Sequence, residues 1–164
     1  MRLSDLSDVL WALLEAEVRF LVAGGLAVVA HGHSRVTHDL DVVIALDEEN
    51  LRRALEVLQR LGFLPRLPVA AEDFCDAAIR RKWIEEKHLQ VFSMVSEEKG
   101  GLVVDIFADS PFDFEEERAR AHIVSLPGLP EGVPFVSKQT LLAMKRRAGR
   151  AIDKDDIARL TVGP

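Results

Sequence analysis

Two aspartates stand one residue apart at the mouth of an apolar strand: Asp39-Leu40-Asp41 leads into Val42-Val43-Ile44-Ala45-Leu46. Side chains of an extended chain alternate between faces, so Asp39 and Asp41 share one face and Leu40 takes the other. The segment after Asp41 is wholly apolar, which calls for cover on both faces and places the strand inside a sheet. A third acid of the same character is Asp105, within Leu102-Val103-Val104-Asp105-Ile106-Phe107. An acid inside an apolar strand needs an ion partner, hydrogen bonds or a metal. Taken singly, Asp39 as a turn cap and Asp105 as half of an ion pair is the simpler account. For all three acids it is not. If the two strands are neighbours, Asp39, Asp41 and Asp105 form one carboxylate cluster able to hold two metal ions, and such hard oxygen donors suit Mg²⁺ or Mn²⁺ better than zinc.

The rest of the chain reads as helices and short strands. Ser4 or Ser7 caps a first helix through about Arg19, with Leu6, Leu10, Leu13, Leu14 and Val18 near helical spacing. Phe20-Leu21-Val22-Ala23 is a buried strand stopped by Gly24-Gly25, and Leu26 to His31 has helical character. Asp47 caps a helix through Leu61 that Gly62 ends. Past Pro65 and Pro68 the chain is irregular, with a short helix around Glu72 to Arg81. His88 to Val95 and Leu102 to Ala108 suit an antiparallel hairpin across the polar turn Ser96 to Gly101. A short helix over Glu115 to Ala121, edge strands at His122 to Leu126 and Pro134 to Val136, and helices over Ser137 to Gly149 and Asp153 to Leu160 complete the chain. No repeat or long linker divides it, so residues 1–164 read as one domain, with a core over about 1–126 and a basic helical segment over about 137–160.

Charge and composition narrow the function. The net charge of −6 argues against a generic nucleic-acid coat. Yet residues 135–154 carry Lys138, Lys145, Arg146, Arg147, Arg150 and Lys154 against a single acid, Asp153, a local patch suited to phosphate. The longest apolar run, near Phe20 to Ala30, is interrupted by Gly24-Gly25 and is too short to span a bilayer. One cysteine, Cys75, and an N-terminus without a signal-peptide core point to the cytoplasm. His31, His33 and His38 match no zinc spacing, no Walker A lysine motif occurs, and Ser34 and Ser137 lack a nucleophile elbow. Gly24-Gly25 supplies backbone amides that can approach a triphosphate, and Arg35 and Thr37, just before the acids, are placed to contact phosphate or order the loop.

Gly24-Gly25-Leu26-Ala27, His31-Gly32, Arg35, Thr37 and Asp39-Leu40-Asp41, followed by Asp105, resemble the signature of the nucleotidyltransferase-fold superfamily, the DNA polymerase beta-like group. Lys138, Lys145, Gly149-Arg150, Asp153 and Asp156 resemble the C-terminal part of its small prokaryotic members of the abortive-infection toxin type, with Ile152 where relatives often carry a lysine. The resemblance covers residues 20–46, 102–108 and 137–160. It implies an α+β nucleotidyltransferase fold, a short mixed sheet flanked by helices. It implies an enzyme that moves a nucleoside monophosphate from an NTP to a hydroxyl, with Mg²⁺ or Mn²⁺ held by Asp39, Asp41 and Asp105. Lys145 and Asp156 would join these acids in catalysis. Gly24, Gly25, Arg35, Thr37, Lys138 and Arg150 would meet the nucleotide. The acceptor stays open between an RNA or tRNA 3′ end, a protein and a small molecule. A partner or second copy would enlarge the substrate site. The alternatives are a non-catalytic nucleotide- or partner-binding module and one half of a toxin–antitoxin pair with a cognate antitoxin.

Overall fold

The strand that begins at Asp39 lies at the centre of the molecule. The computed structural model describes residues 2–126 and 128–162 and arranges seven strands in one sheet. These are β1 (Phe20–Val22), β2 (Asp39–Ile44), β3 (Leu64–Pro65), β4 (Val91–Ser96), β5 (Leu102–Phe107), β6 (His122–Leu126) and β7 (Leu129–Phe135), in the order β3-β4-β5-β2-β1-β7-β6. The β2–β5 and β1–β7 pairs are parallel and the others antiparallel, so the sheet is mixed. Leu40, Val42, Val43 and Ile44 are all fully buried, as an apolar strand covered on both faces requires.

Helices flank the sheet: α1 (Leu3–Glu15), α2 (Gly24–Ala30), α3 (Glu48–Arg60), α4 (Ala77–Lys87), α5 (Phe114–Ala119), α6 (Lys138–Ala148) and α7 (Ala151–Thr161). α2 packs on β2 and against α6, and α6 packs on α7. The sheet's two faces differ where β4 and β5 run. On one, Phe92, Met94, Val104 and Ile106 are fully buried, and Phe92 stacks between Phe74 and Trp83. On the other, Val91, Ser93, Val95, Val103, Asp105 and Phe107 are all half-buried. The alternation of β4 and β5 is that of a sheet with one covered and one open face.

Element boundaries depart from expectation where a backbone turn outranks periodicity. α1 stops at Glu15 rather than near Arg19, because Glu17 takes a positive φ of 53° and turns the chain into β1. Residues 72–81 form a 3₁₀ turn, Ala71–Cys75, followed by the longer α4, whose N-cap Asp76 accepts hydrogen bonds from the Ala78 and Ile79 amides. α4 ends at His88, also in the left-handed region at φ 53°, so β4 begins at Val91 instead of His88. β3 was not anticipated; it is an edge strand, where a proline such as Pro65 is tolerated. β7 extends well N-terminal of Pro134, and α7 begins at Ala151 directly after Gly149 and Arg150.

His31 ends α2 and does not reach the carboxylates: its ring stacks on His122 at 4.7 Å, and its Nε2 donates to the Val136 carbonyl at 2.9 Å. His122 Nε2 in turn donates to the Ala30 carbonyl at 3.2 Å. Burial lowers the His31 pKa, and the neighbouring His122, Lys138 and His33 push the same way against the Val136 hydrogen bond. A histidine held neutral in the fold contributes stability above the unfolded value of about 6.5 that is lost as the pH falls toward its lower folded value. Wild type should therefore lose stability relative to His31→Gln between about pH 7 and about pH 5, a trend that paired urea titrations across that range will measure.

Candidate functional site

Parallel pairing of β2 with β5 sets Asp41 directly opposite Asp105, with Asp39 opposite Val103. Asp41 and Asp105 are half-buried, Asp39 is exposed, and all three lie on the open face of the sheet. Burial raises the Asp41 pKa to about 6, helped by the charges of Asp105 and Asp39; Arg150 and the Gly25 N–H pull it down. Burial also raises Asp105, and the Asp39 charge adds to it, while the Ser93 hydroxyl and the charge of Arg66 act against it. Like charges brought together at reduced solvation strain the folded state, a pattern that clusters at functional sites.

Gly24 and Gly25 close one side of this pair. Gly24 has φ +62°, and a Cβ on it would fall 1.8 Å from Asp41 Oδ2; a Cβ on Gly25 would lie 2.8 Å from Thr37 Oγ1. Both must be glycine for the start of α2 to approach the acids. The Ala23 amide donates to the Asp41 carbonyl at 2.9 Å, and Thr37 Oγ1 donates to the Asp39 carbonyl at 3.3 Å. Backbone and side chain of the 37–41 segment are thus fixed against the β1–α2 turn. Among the described residues, no three His, Cys, Asp or Glu side chains form a ready-made metal cage. Mg²⁺ does not need one: it is held through one or two carboxylates and completes its shell with water and substrate phosphate. Two register-paired carboxylates whose repulsion a cation would relieve, with a third acid on the same strand face, fit such an ion.

The C-terminal helices bring a second charged group to the same region. Lys145 is 5% exposed; its Nζ donates to Asp156 at 2.7 Å and to Asp153 at 3.5 Å. Asp156 also meets Arg35 Nε at 3.2 Å, and Asp153 receives Arg150 Nε at 2.7 Å. The structure therefore joins Lys145 and Asp156 to each other in a buried ion network. Arg35, whose Nη1 also donates to the Val36 carbonyl, ties the loop before β2 to α7. Arg150, held by Asp153, is the member whose charge falls on Asp41. Lys138 opens α6 beside His31. Cys75 is buried, with its thiol pKa raised chiefly by burial. The grooves between α1 and the β6–β7 hairpin, lined by Trp11, Leu14 and Glu131 among others, contain none of the expected site residues.

Ser93 and Arg66 belong to the site and escaped the sequence reading. Ser93 Oγ donates to Asp105 Oδ1 at 2.5 Å from the register-opposed position of β4. The period-two burial of β4 puts Ser93 on the half-polar face, which is the one signal its sequence offered. Arg66 follows the unanticipated β3.

No protein-family model matches the chain, and no curated protein matches it in sequence. Solved structures do match its fold. The lincosamide antibiotic adenylyltransferase LnuA, in its lincomycin-bound form, superposes with a TM-score of 0.65 over 99% of this chain and 98% of that one, at 15% identity. ANT(2″)-Ia in complex with adenylyl-2″-tobramycin gives 0.61 over 94% and 84%, also at 15% identity. A Thermotoga maritima protein provisionally described as a nucleotidyltransferase gives 0.60 over 95% and 89%, at 15% identity. The mixed sheet flanked by helices is thus the nucleotidyltransferase fold.

Two consequences for stability are measurable. A carboxyl whose folded pKa is raised contributes stability that is fully present below its unfolded value of 3.8 and is lost as the pH rises through about 6. In metal-free buffer near neutral pH, Asp41→Asn should therefore stabilise the fold, by up to about 3 kcal/mol, as read by chemical denaturation. Asp156→Asn should do the reverse and cost up to about 3–5 kcal/mol, leaving the buried Lys145 only its longer contact with Asp153 and Arg35 no carboxylate. The double change Lys145→Met/Asp156→Leu should recover part of that loss in the same assay, because Lys145 is gone and Asp153 keeps Arg150, while Arg35 still lacks its carboxylate.

Proposed function

We propose that this chain is a metal-dependent nucleotidyltransferase that moves a nucleoside monophosphate from an NTP to a hydroxyl, releasing pyrophosphate. The observation that carries this reading is the register pairing of Asp41 with Asp105 beneath Gly24, on a fold otherwise known from adenylyltransferases. A divalent cation held by Asp41 and Asp105, with Asp39 beside them, would neutralise charge developing on the transferred phosphoryl group. The chain's own residues do the rest. Gly24 and Gly25 bring backbone close enough to accommodate phosphate, and Arg150 offers a cation on the same side. The attacking oxygen bonds to the α-phosphorus while the bridging P–O bond toward the β-phosphate breaks, and pyrophosphate leaves with the electron pair. Asp105, steadied by Ser93, receives the hydroxyl proton. Lys145 and Asp156 act through position: their ion pair holds Arg35 and Asp153, and Asp153 holds Arg150.

A small-molecule acceptor is the better reading than RNA or protein. LnuA is a lincosamide antibiotic adenylyltransferase, and ANT(2″)-Ia is known with an adenylylated tobramycin. Lys145, part of the basic patch that favoured a polyanion, is spent inside the fold. No helix among the described residues is long and apolar enough to cross a membrane.

Calorimetric titration with the four NTPs and Mg²⁺ or Mn²⁺, against an Asp39→Asn/Asp41→Asn variant, tests the proposal. Metal-dependent NTP binding in wild type that the variant loses is the expected result. Folded wild-type protein that takes no NTP would sink it. Because a proton competes with the metal at Asp41, affinity should weaken as the pH drops below about 6.

A further inference from the structure

The line of residues through Asp41 and Asp105 continues across the sheet. Ser93 is opposite Asp105 in β4. Pro65 pairs with Met94, so the next residue, Arg66, comes opposite Ser93, and its amide donates to the Ser93 carbonyl at 2.9 Å. Directly opposed residues of neighbouring strands share a face. Arg66, Ser93, Asp105 and Asp41 therefore form one polar line over four adjacent strands. Apolar side chains border it, Val95 and Val103 on one side and Val91 and Phe107 on the other, all half-buried.

The two ends of this line are not equivalent. At the Asp41 end stand Gly24, Gly25 and Arg150, the phosphate-accommodating side. At the opposite end stands the exposed Arg66, whose guanidinium forms no ion pair or hydrogen bond with the described residues and whose charge falls on Asp105. Phosphoryl transfer places the attacking and leaving oxygens roughly in line across the phosphorus. If pyrophosphate departs at the Asp41 end, the acceptor hydroxyl must arrive from the side of Asp105 and Arg66. Strands lie about 4.8 Å apart, so Asp105 and Arg66 are roughly 10 Å apart at the backbone, a span that suits a small molecule.

We propose that this line is the acceptor subsite, and that the acceptor is a small hydroxyl compound carrying an anionic group. Its hydroxyl sits at Asp105, its anion at Arg66, and its apolar body over Ser93 between Val91 and Val95. The assignment of the hydroxyl rests on the nucleotidyl-transfer reading; that of the anion rests on Arg66.

Amide and arginine side-chain NMR separates the two. Glycerol 3-phosphate, glycerol and choline serve as anionic, neutral and cationic hydroxyl probes, and Mg²⁺ with ATP reports the nucleotide side. Glycerol 3-phosphate should shift the Ser93 amide and the Arg66 Nε–H. Glycerol and choline should bind at least tenfold more weakly. Arg66→Ala should weaken glycerol 3-phosphate at least tenfold at the Ser93 amide, and Arg66→Lys should restore part of the affinity. Shifts confined to Gly24 and Gly25, choline binding as tightly as glycerol 3-phosphate, or an Arg66→Ala variant that binds like wild type would each overturn the subsite. Glycerol 3-phosphate binding at Arg66, with no response of Gly24 and Gly25 to Mg²⁺ and ATP, would instead overturn the transferase reading and leave the anion subsite standing.

Discussion

Repulsion between two carboxylates on adjacent central strands organises this molecule. Asp41 and Asp105 are register partners, and burial holds both pKa values above the ordinary carboxylate range, helped at Asp41 by the charges of Asp105 and Asp39 and at Asp105 by that of Asp39. A sheet free of functional demands would put valine or isoleucine at both positions, as it does at Val42 and Ile106 one residue on. The surrounding structure compensates without removing the conflict. Glycine at position 24 lets the chain approach Asp41 Oδ2, Ser93 donates to Asp105, and Arg150 and Arg66 bring positive charge from either end of the line. None of these is a full ion pair to Asp41 or Asp105. The carboxylates are held partly satisfied, the state in which an incoming cation gains most.

The C-terminal helices follow from the same constraint. Arg150 is held beside Asp41 by Asp153, and Asp153 also meets Lys145, whose other partner, Asp156, is shared with Arg35. Breaking a buried ion network of this kind costs more than forming it returns, so its value lies in the geometry it enforces rather than in stability. It joins the loop before β2 to α6 and α7, and so sets both the loop leading into the acids and a cation beside them. Lys145 and Asp156, residue types that suggest chemistry in a sequence, are here joined to each other in a buried ion pair.

The acids were legible because they violated their surroundings: Asp39, Asp41 and Asp105 occur in strands whose other members are almost all apolar. Period-two alternation put Asp39 and Asp41 on one face and strand–turn–helix order placed Gly24-Gly25, whereas the pairing of the two strands and the approach of Gly24 to Asp41 are tertiary contacts. The same logic applies to the ion network. Lys145 is four residues from the buried Leu141, and Asp156 four from the buried Leu160, so each is a charge on an apolar helix face. Such a placement marks a buried pair, whereas the exposed Arg150 on the connection between α6 and α7 is the charge that reaches outward. Arg66 offered no comparable signal. It follows a two-residue strand whose existence depends on pairing with β4, a tertiary contact that no local pattern encodes.

Half-open apolar sheet surface beside half-buried carboxylates leaves burial energy unrealised. Val91, Val95, Val103 and Phe107 expose apolar area beside Asp105, while the opposite face of the same two strands is sealed by Phe74 and Trp83 against Phe92. A helix laid over this face would bury that area and stabilise the fold. It would also cover Asp105. On the transferase reading proposed above, this half-open strip is where a second substrate would complete the site.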